Sequence, residues 1–433
     1  MRASDTVENR RVVVTGLGAV TSVGVGAGNF LAALRTGRHG GKPIRAFDTS
    51  GFAHANGCEV TDFDPEPWIR SFPVNELGRA TQFSVAAAAM AVADSDVCPH
   101  RLRELTGLVA VGTTDGESRD LDQLVQAQVY GTEDQVDQVV ARRVPAPRLS
   151  TCVARELGLV DVEAVTIPTA CAAGNYAIGY GADVVRAGEA EFALVGGADA
   201  VCRKTFAGFY RVGTIAPERC QPFDANRKGL LTGEGAGMML LESLDSALTR
   251  GARVYAEILG YGLNCDADHP VAPNLDSLAR CMRLAHANAG VKPGDIDFIS
   301  AHGTGTKAND ITEASAIRRV FGERPPPTIS IKSMIGHTMG AASALAAIGC
   351  ALAITHQFIP PTINHERTDL ECGLDCVPNV AREARLRVVQ NNALAFGGNN
   401  AVVIMGEYSG GRSVEDLATC EAMRPTFGGN DRG

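Results

Sequence analysis

Apolar positions in this 433-residue chain fall into short β-branched runs separated by longer stretches of Ala, Gly and spaced apolar residues. Val162-Glu163-Ala164-Val165-Thr166-Ile167 has the composition of a strand, and Ala172 to Arg186 has the small-residue spacing of a helix. Near the N-terminus, Val12-Val13-Val14-Thr15 runs into Gly16-Leu17-Gly18 and reads as a strand followed by a glycine turn. Ala19-Val20-Thr21 then breaks the Gly-x-Gly-x-x-Gly spacing, which excludes a dinucleotide-binding turn. Gly233-Glu234-Gly235-Ala236-Gly237 precedes the apolar run Met238 to Leu241, so its glycines suit close packing or a bulge at a strand entrance. A second round of alternation starts at Tyr255 to Tyr261. It holds a helix from Asn274 to Ala289, a strand from Ile296 to Ser300, a helix from Asp310 to Phe321 and a strand from Thr328 to Ile331. Asn392 to Leu394 and Ala401 to Met405 supply closing strands. Two α/β units are implied, over residues 11–255 and 256–408, with 409–433 as a charged, Gly- and Ser-containing tail.

Composition narrows the class. At 45% hydrophobic and 21% charged residues, the chain has enough apolar material for two fused cores and suits a soluble globular enzyme. Met1 to Arg11 is charged and lacks the apolar centre of a secretory signal, so a cytoplasmic protein is expected. Gly340 to Ile354 is too short to span a bilayer and reads as a core helix; no membrane span is expected. A net charge of -9 disfavours nucleic-acid binding. Twelve cysteines scattered from Cys58 to Cys420 suit free thiols, and the close pair Cys372 and Cys376 lacks a second cluster for zinc. No catalytic metal is expected.

Candidate chemistry begins at Pro168-Thr169-Ala170-Cys171-Ala172-Ala173-Gly174, where a cysteine stands between the predicted strand and the small-residue helix. A lone intracellular Cys is ordinarily a small buried hydrophobe. At a helix N-terminus, however, unpaired N–H groups and the macrodipole favour the nucleophilic thiolate. Two histidine segments change the weighing. Ile299-Ser300-Ala301-His302-Gly303-Thr304-Gly305-Thr306 ends an apolar strand in a His. Ser330-Ile331-Lys332-Ser333-Met334-Ile335-Gly336-His337-Thr338-Met339-Gly340 reads as a strand, a glycine turn and a His before the Ala-rich helix. Alone, either imidazole suits a structural role. Paired in one context, and joined to a cysteine at a helix start, they point to a site.

TACAAG, AHGTGT, IKSMIGHTMGAA and ALAFGGNNA resemble the four signature segments of the β-ketoacyl-acyl-carrier-protein synthases, and the similarity runs from about Arg11 to about Tyr408. This resemblance implies a thiolase-like α/β fold, two duplicated halves stacked in five layers, with Cys171 in the first half and both histidines in the second. It implies a decarboxylative condensation of a malonyl thioester with an acyl chain held on Cys171. His302 and His337 would donate N–H bonds to the enolate oxygen, Lys332 would organise them electrostatically, and Glu313 would pair with Lys332. Backbone N–H groups of Cys171 and Phe396 would form a second oxyanion site, with glycines 397 and 398 allowing the turn and Phe396 gating the extender side. Thr304 and Thr306 would bond the phosphopantetheine arm of an acyl carrier protein, and no cofactor of the enzyme's own is implied. The partners implied are malonyl- and acyl-carrier proteins and a second subunit, either another copy or a catalytically silent chain-length relative.

Departures from the family pattern bear on the substrate. The usual GFGGTN becomes Ala395-Phe396-Gly397-Gly398-Asn399-Asn400, with Leu394 where an aromatic often stands; Leu394 and Asn399 are placed at the substrate. Gly112-Thr113-Thr114-Asp115-Gly116-Glu117-Ser118 falls where relatives line an acyl chamber, and Asp115 there suggests an oxidised or unsaturated chain from polyketide or polyene synthesis. Otherwise Asp115 and Glu117 would turn into a dimer interface. Arg203, Lys204 and Arg211 are the candidate basic patch for an acidic carrier; a solvated loop is the plainer alternative. Competing functions on this scaffold are acyl transfer to oxygen or nitrogen and a non-catalytic chain-length subunit. Both histidines and Lys332 favour condensation over the first, and Cys171 argues against the second.

Overall fold

The computed structural model describes residues 10–408 and residue 410, so the predicted tail lies outside the described residues apart from Gly410. The main sheet has eleven strands among the described residues, a two-residue strand Gly24–Val25 paired only to the first and ten in one continuous path: β1 (Val12–Thr21), β2 (Gly107–Gly112), β3 (Val162–Ile167), β4 (Phe192–Asp199), β5 (Gly235–Ser243), β6 (Ala256–Cys265), β7 (Phe298–Ser300), β8 (Thr328–Ile329), β9 (Val388–Leu394) and β10 (Asn399–Gly406). Their order is β8-β7-β9-β10-β6-β1-β5-β4-β2-β3. From the centre outward each half therefore reads alike, β1-β5-β4-β2-β3 in one and β6-β10-β9-β7-β8 in the other. Strand directions match as well: the inner pairings are antiparallel and the outer two parallel in both halves. The halves join where β1 meets β6, antiparallel, at Val13 opposite Glu257 and Val14 opposite Ala256.

Helices complete the layers. On the outer face of the first half lie α1 (Arg79–Asp94) and α3 (Arg148–Leu157), while α2 (Ser118–Tyr130) packs against residues 138–143 and 203–211. In the middle, α4 (Ala173–Ala187) and α9 (Ala341–His356) pack on each other between the halves. Nearly every residue of α9 is buried, which is why its composition is apolar all round rather than on one stripe. The far face carries α6 (Leu275–Ala289) and α7 (Lys307–Phe321); α5 (Arg203–Arg211) and the single turn α8 (Lys332–Ile335) lie near the strand ends.

Two expectations change. Gly16 and Gly18 are not in a turn; β1 continues through both to Thr21. A Cβ on Gly18 would lie 1.8 Å from the Ala87 carbonyl oxygen of α1, and one on Gly16 would lie 2.0 Å from that of Ala91, so these glycines let a helix settle on the strand. Likewise the predicted strand Thr328 to Ile331 stops at Ile329 and turns into α8. The Ser330 hydroxyl accepts from Lys332 N at 3.3 Å, and Gly336, at φ 65°, ends the turn.

No described helix is long and apolar enough to cross a membrane. Every described cysteine is free, and no cluster of three or more potential metal ligands occurs among the described residues.

Candidate active site

Cys171 occupies the 3-10 turn Ala170–Ala172 directly before α4, with Ala170 at φ 50° bending the chain after β3. Its side chain is buried. Burial pushes the thiol up to about 12, while the charge of Lys332 and an N–H bond from Phe396 pull it down. Desolvation thus outweighs the helix-end effect, and the free site holds a thiol rather than the thiolate expected from its position alone.

His302 follows β7 and His337 follows α8; their ring centroids lie 5.4 Å apart with planes at 83°. Burial lowers both imidazoles well below the usual range, and Lys332 adds to the effect in each case. Both are therefore neutral near pH 7. Met339 N donates to His337 Nδ1 at 3.1 Å, which leaves the ring proton on Nε2. Lys332 Nζ sits 3.5 Å from His302 Nδ1, and an ammonium has only donors to offer, so this ring too carries its proton on Nε2. Two neutral imidazoles with outward N–H groups can stabilise an oxygen on which negative charge develops.

Lys332 is buried and donates to the His302 carbonyl at 2.6 Å. Burial lowers its pKa, opposed chiefly by Glu313. The expected ion pair between these two is not formed among the described residues. Glu313 accepts instead from the backbone N–H groups of His302 and Gly303, each at 2.8 Å, and from Asn392 Nδ2 at 3.1 Å. These N–H groups end β7 with no strand partner, and a carboxylate from α7 satisfies them. Glu313 consequently fixes the main chain that carries His302 and reaches Lys332 only through space.

Cys171, His302 and His337 meet on one cavity of about 90 Å³, with Thr304 and Thr306 on its polar wall and Leu394 and Phe396 on its apolar wall. The Thr304 and Thr306 hydroxyls are 2.9 Å apart. Phe396 is 40% exposed, and its ring centroid lies 5.4 Å from that of Phe209, tilted by 44°, while the Phe209 ring is 6.4 Å from the His337 ring. Gly397 and Gly398, at φ 89° and 87°, make the turn behind it, and the Phe396 N–H points at the Cys171 sulfur. Phe209 lacks a motif of its own; only its place in the aromatic run Phe206 to Tyr210 marks it.

Other predicted positions lie elsewhere. Asn399 begins β10 opposite Cys265 and is off the cavity wall. Asp115 is also off the wall, bonded to Lys204 Nζ at 2.8 Å and to the Thr205 hydroxyl at 2.7 Å. Glu117 caps α1, accepting from Thr81 N at 2.6 Å and Ala80 N at 3.2 Å. Most polar groups of the 112–118 stretch bond within the protein, the Thr114 hydroxyl and Asp115 Oδ2 are buried without a partner, and none of the stretch lines the cavity that holds Cys171. Lys204 is committed to Asp115 and to Ser118 Oγ at 2.8 Å, and Arg203 lies 5.4 Å over the Phe52 ring, so Arg203, Lys204 and Arg211 do not form three free cations on α5.

A thiol and two neutral imidazole donors on one cavity floor, borne by a duplicated five-layer fold, mark a thioester-condensing enzyme. Comparison with known proteins agrees. The beta-ketoacyl synthase N-terminal domain model matches residues 9–247 and the C-terminal domain model matches residues 255–366. The chain belongs to the beta-ketoacyl synthase family. It is 38% identical over 406 residues to nodulation protein E of a Rhizobium species, covering 91% of this chain and 98% of that protein. It is 35% identical to 3-oxoacyl-[acyl-carrier-protein] synthase 2 of Synechocystis, covering 93% and 99%. Among solved structures, the ishigamide ketosynthase/chain length factor superposes with a TM-score of 0.91 at 57% identity, covering 93% of this chain and all of that one.

Proposed function

We propose that the protein condenses malonyl-acyl-carrier protein with an acyl chain held on Cys171, extending it by two carbons in a polyketide or polyene pathway. The observation that carries this reading is the meeting of Cys171, His302 and His337 on one cavity. In the first half-reaction Cys171 sulfur attacks the acyl thioester, and its proton leaves with the carrier thiol; the Cys171 and Phe396 N–H groups hold the oxyanion. In the second, malonyl loses carbon dioxide and the enolate oxygen rests on the His302 and His337 Nε2–H groups. The enolate carbon then attacks the acyl carbonyl and expels the Cys171 thiolate, which takes up one proton. Acyl transfer to oxygen or nitrogen would need no enolate site, so two neutral donors beside Lys332 favour condensation.

Support for the specialised pathway comes from the likeness to the ishigamide ketosynthase, not from the 112–118 loop. We put carrier docking at an open cleft of about 590 Å³ whose walls include Lys228 and Lys307, with Arg219 there paired to Glu366. Lys307 directly follows Thr306, so a pantetheine arm threaded past the two threonines emerges beside these cations. A second thiolase-fold subunit, of the chain-length kind, suits the face where β3 is the bare sheet edge and Leu121, Val125 and Val129 stand exposed on α2. Incubation with malonyl-carrier and a panel of acyl-carriers, followed by mass measurement of products and of the Cys171 adduct, tests the proposal. Acyl-Cys171 without a two-carbon extension under malonyl-carrier would overturn it.

A further inference from the structure

Asp199, the last residue of β4, is fully buried and its carboxylate is used to capacity. Oδ1 accepts from the Thr113 hydroxyl at 2.6 Å and from Asp115 N at 3.0 Å. Oδ2 accepts from Thr114 N at 2.8 Å and from Gly340 N at 2.6 Å. Gly340 closes the turn that begins at His337 and in which Met339, at φ 52°, donates to the His337 ring. The other three donors belong to the loop leaving β2.

Around this carboxylate three backbones touch. A Cβ on Gly340 would lie 2.5 Å from Thr113 Cα, and one on Gly197 would lie 2.5 Å from the Gly340 oxygen. On Gly112 it would lie 2.4 Å from the carbonyl carbon of Ala173, two residues after Cys171. The strand ends that seat the Cys171 helix are therefore the ones to which the His337 turn is tied, and Asp199 is the side chain that ties them.

We propose that Asp199 is a positioning residue: by clamping Gly340 to the 113–115 loop it sets the His337 Nε2–H relative to the Cys171 sulfur. It touches no substrate. This assignment rests on the condensation reading above and adds to it a residue that governs the extender half-reaction alone.

Asp199→Asn tests it. Each oxygen receives two donors, so an amide turned either way sets its NH₂ against two of them. Acyl loading of Cys171 should stay within about twofold of wild type, while malonyl decarboxylation and condensation fall about 10- to 100-fold in kcat with KM for malonyl-carrier little changed. Nitrogen NMR of the imidazoles should show His337 losing its single Nε2–H tautomer. Should Asp199→Asn not fold, Thr113→Val removes one donor and should give the same split at about threefold. Equal losses in both half-reactions, or no loss in either, overturn the positioning role while leaving the condensation reading intact. A wild-type protein that neither loads Cys171 nor releases carbon dioxide from malonyl-carrier overturns both.

Discussion

The two halves of the sheet share strand order and direction, yet they carry different side chains at matching places. In the first half, β3 passes to the central helix α4 through the short link 168–172 that holds Cys171. In the second, β8 passes to the central helix α9 through the longer link 330–340, with room for Lys332, the α8 turn and His337. The loops after β2 and β7 diverge too: 113–118 is spent on structural bonds, whereas 302–306 supplies an imidazole and two hydroxyls. Duplication accounts for where these links meet, because α4 and α9 pack together; link length and residue identity account for what each can do. On the proposed reaction, one half accepts the acyl group and the other holds the enolate.

The sharpest way to break this division is Cys171→Ala. Acyl adducts by mass spectrometry and condensation should vanish, while carbon dioxide release from malonyl-carrier continues. The mirror experiment is His302→Ala or His337→Ala, each expected to cut decarboxylation by about 10²- to 10³-fold and to leave Cys171 loading within a few-fold. Loss of both half-reactions in either experiment would contradict separate roles. A pH profile sharpens the second half. Because both imidazoles are held below their usual pKa, they stay neutral as pH falls through 6.5 and gain charge only lower still. Decarboxylation by Cys171→Ala should therefore show no histidine inflection near pH 6.5. The smallest effects belong to the cleft: Lys228→Glu with Lys307→Glu should raise KM for the carrier by up to about tenfold, weakening with salt, at unchanged kcat. Arg203→Glu should do markedly less.

Local signals made much of this legible. Cys171, His302 and His337 stand out because each lies where a β-branched run gives way to glycine or alanine, and such junctions can be read from spacing. The strand β3 and the helices α4, α6 and α9 were expected nearly as observed for the same reason. Other features depend on residues far apart in the chain. Asp199 meets Gly340 across 141 positions and Glu313 meets Asn392 across 79, and no periodicity encodes such pairs. The family resemblance pairs Glu313 with Lys332, whereas the uncapped N–H groups of His302 and Gly303 after β7 take the carboxylate. Gly16 and Gly18 read as a turn because a strand's need for a neighbouring helix leaves the same mark as a change of direction.

The crowding at Gly112, Gly197 and Gly340 sets a limit on how this catalyst can be altered. Ground built from peptide groups offers no side chain to trim or enlarge, so attempts to retune product size by point mutation must work on the surrounding walls, such as Leu394 and Phe209. A methyl group grafted at Gly112 would press on the Cys171 helix, and one at Gly197 or Gly340 on the His337 turn or the loop beside it.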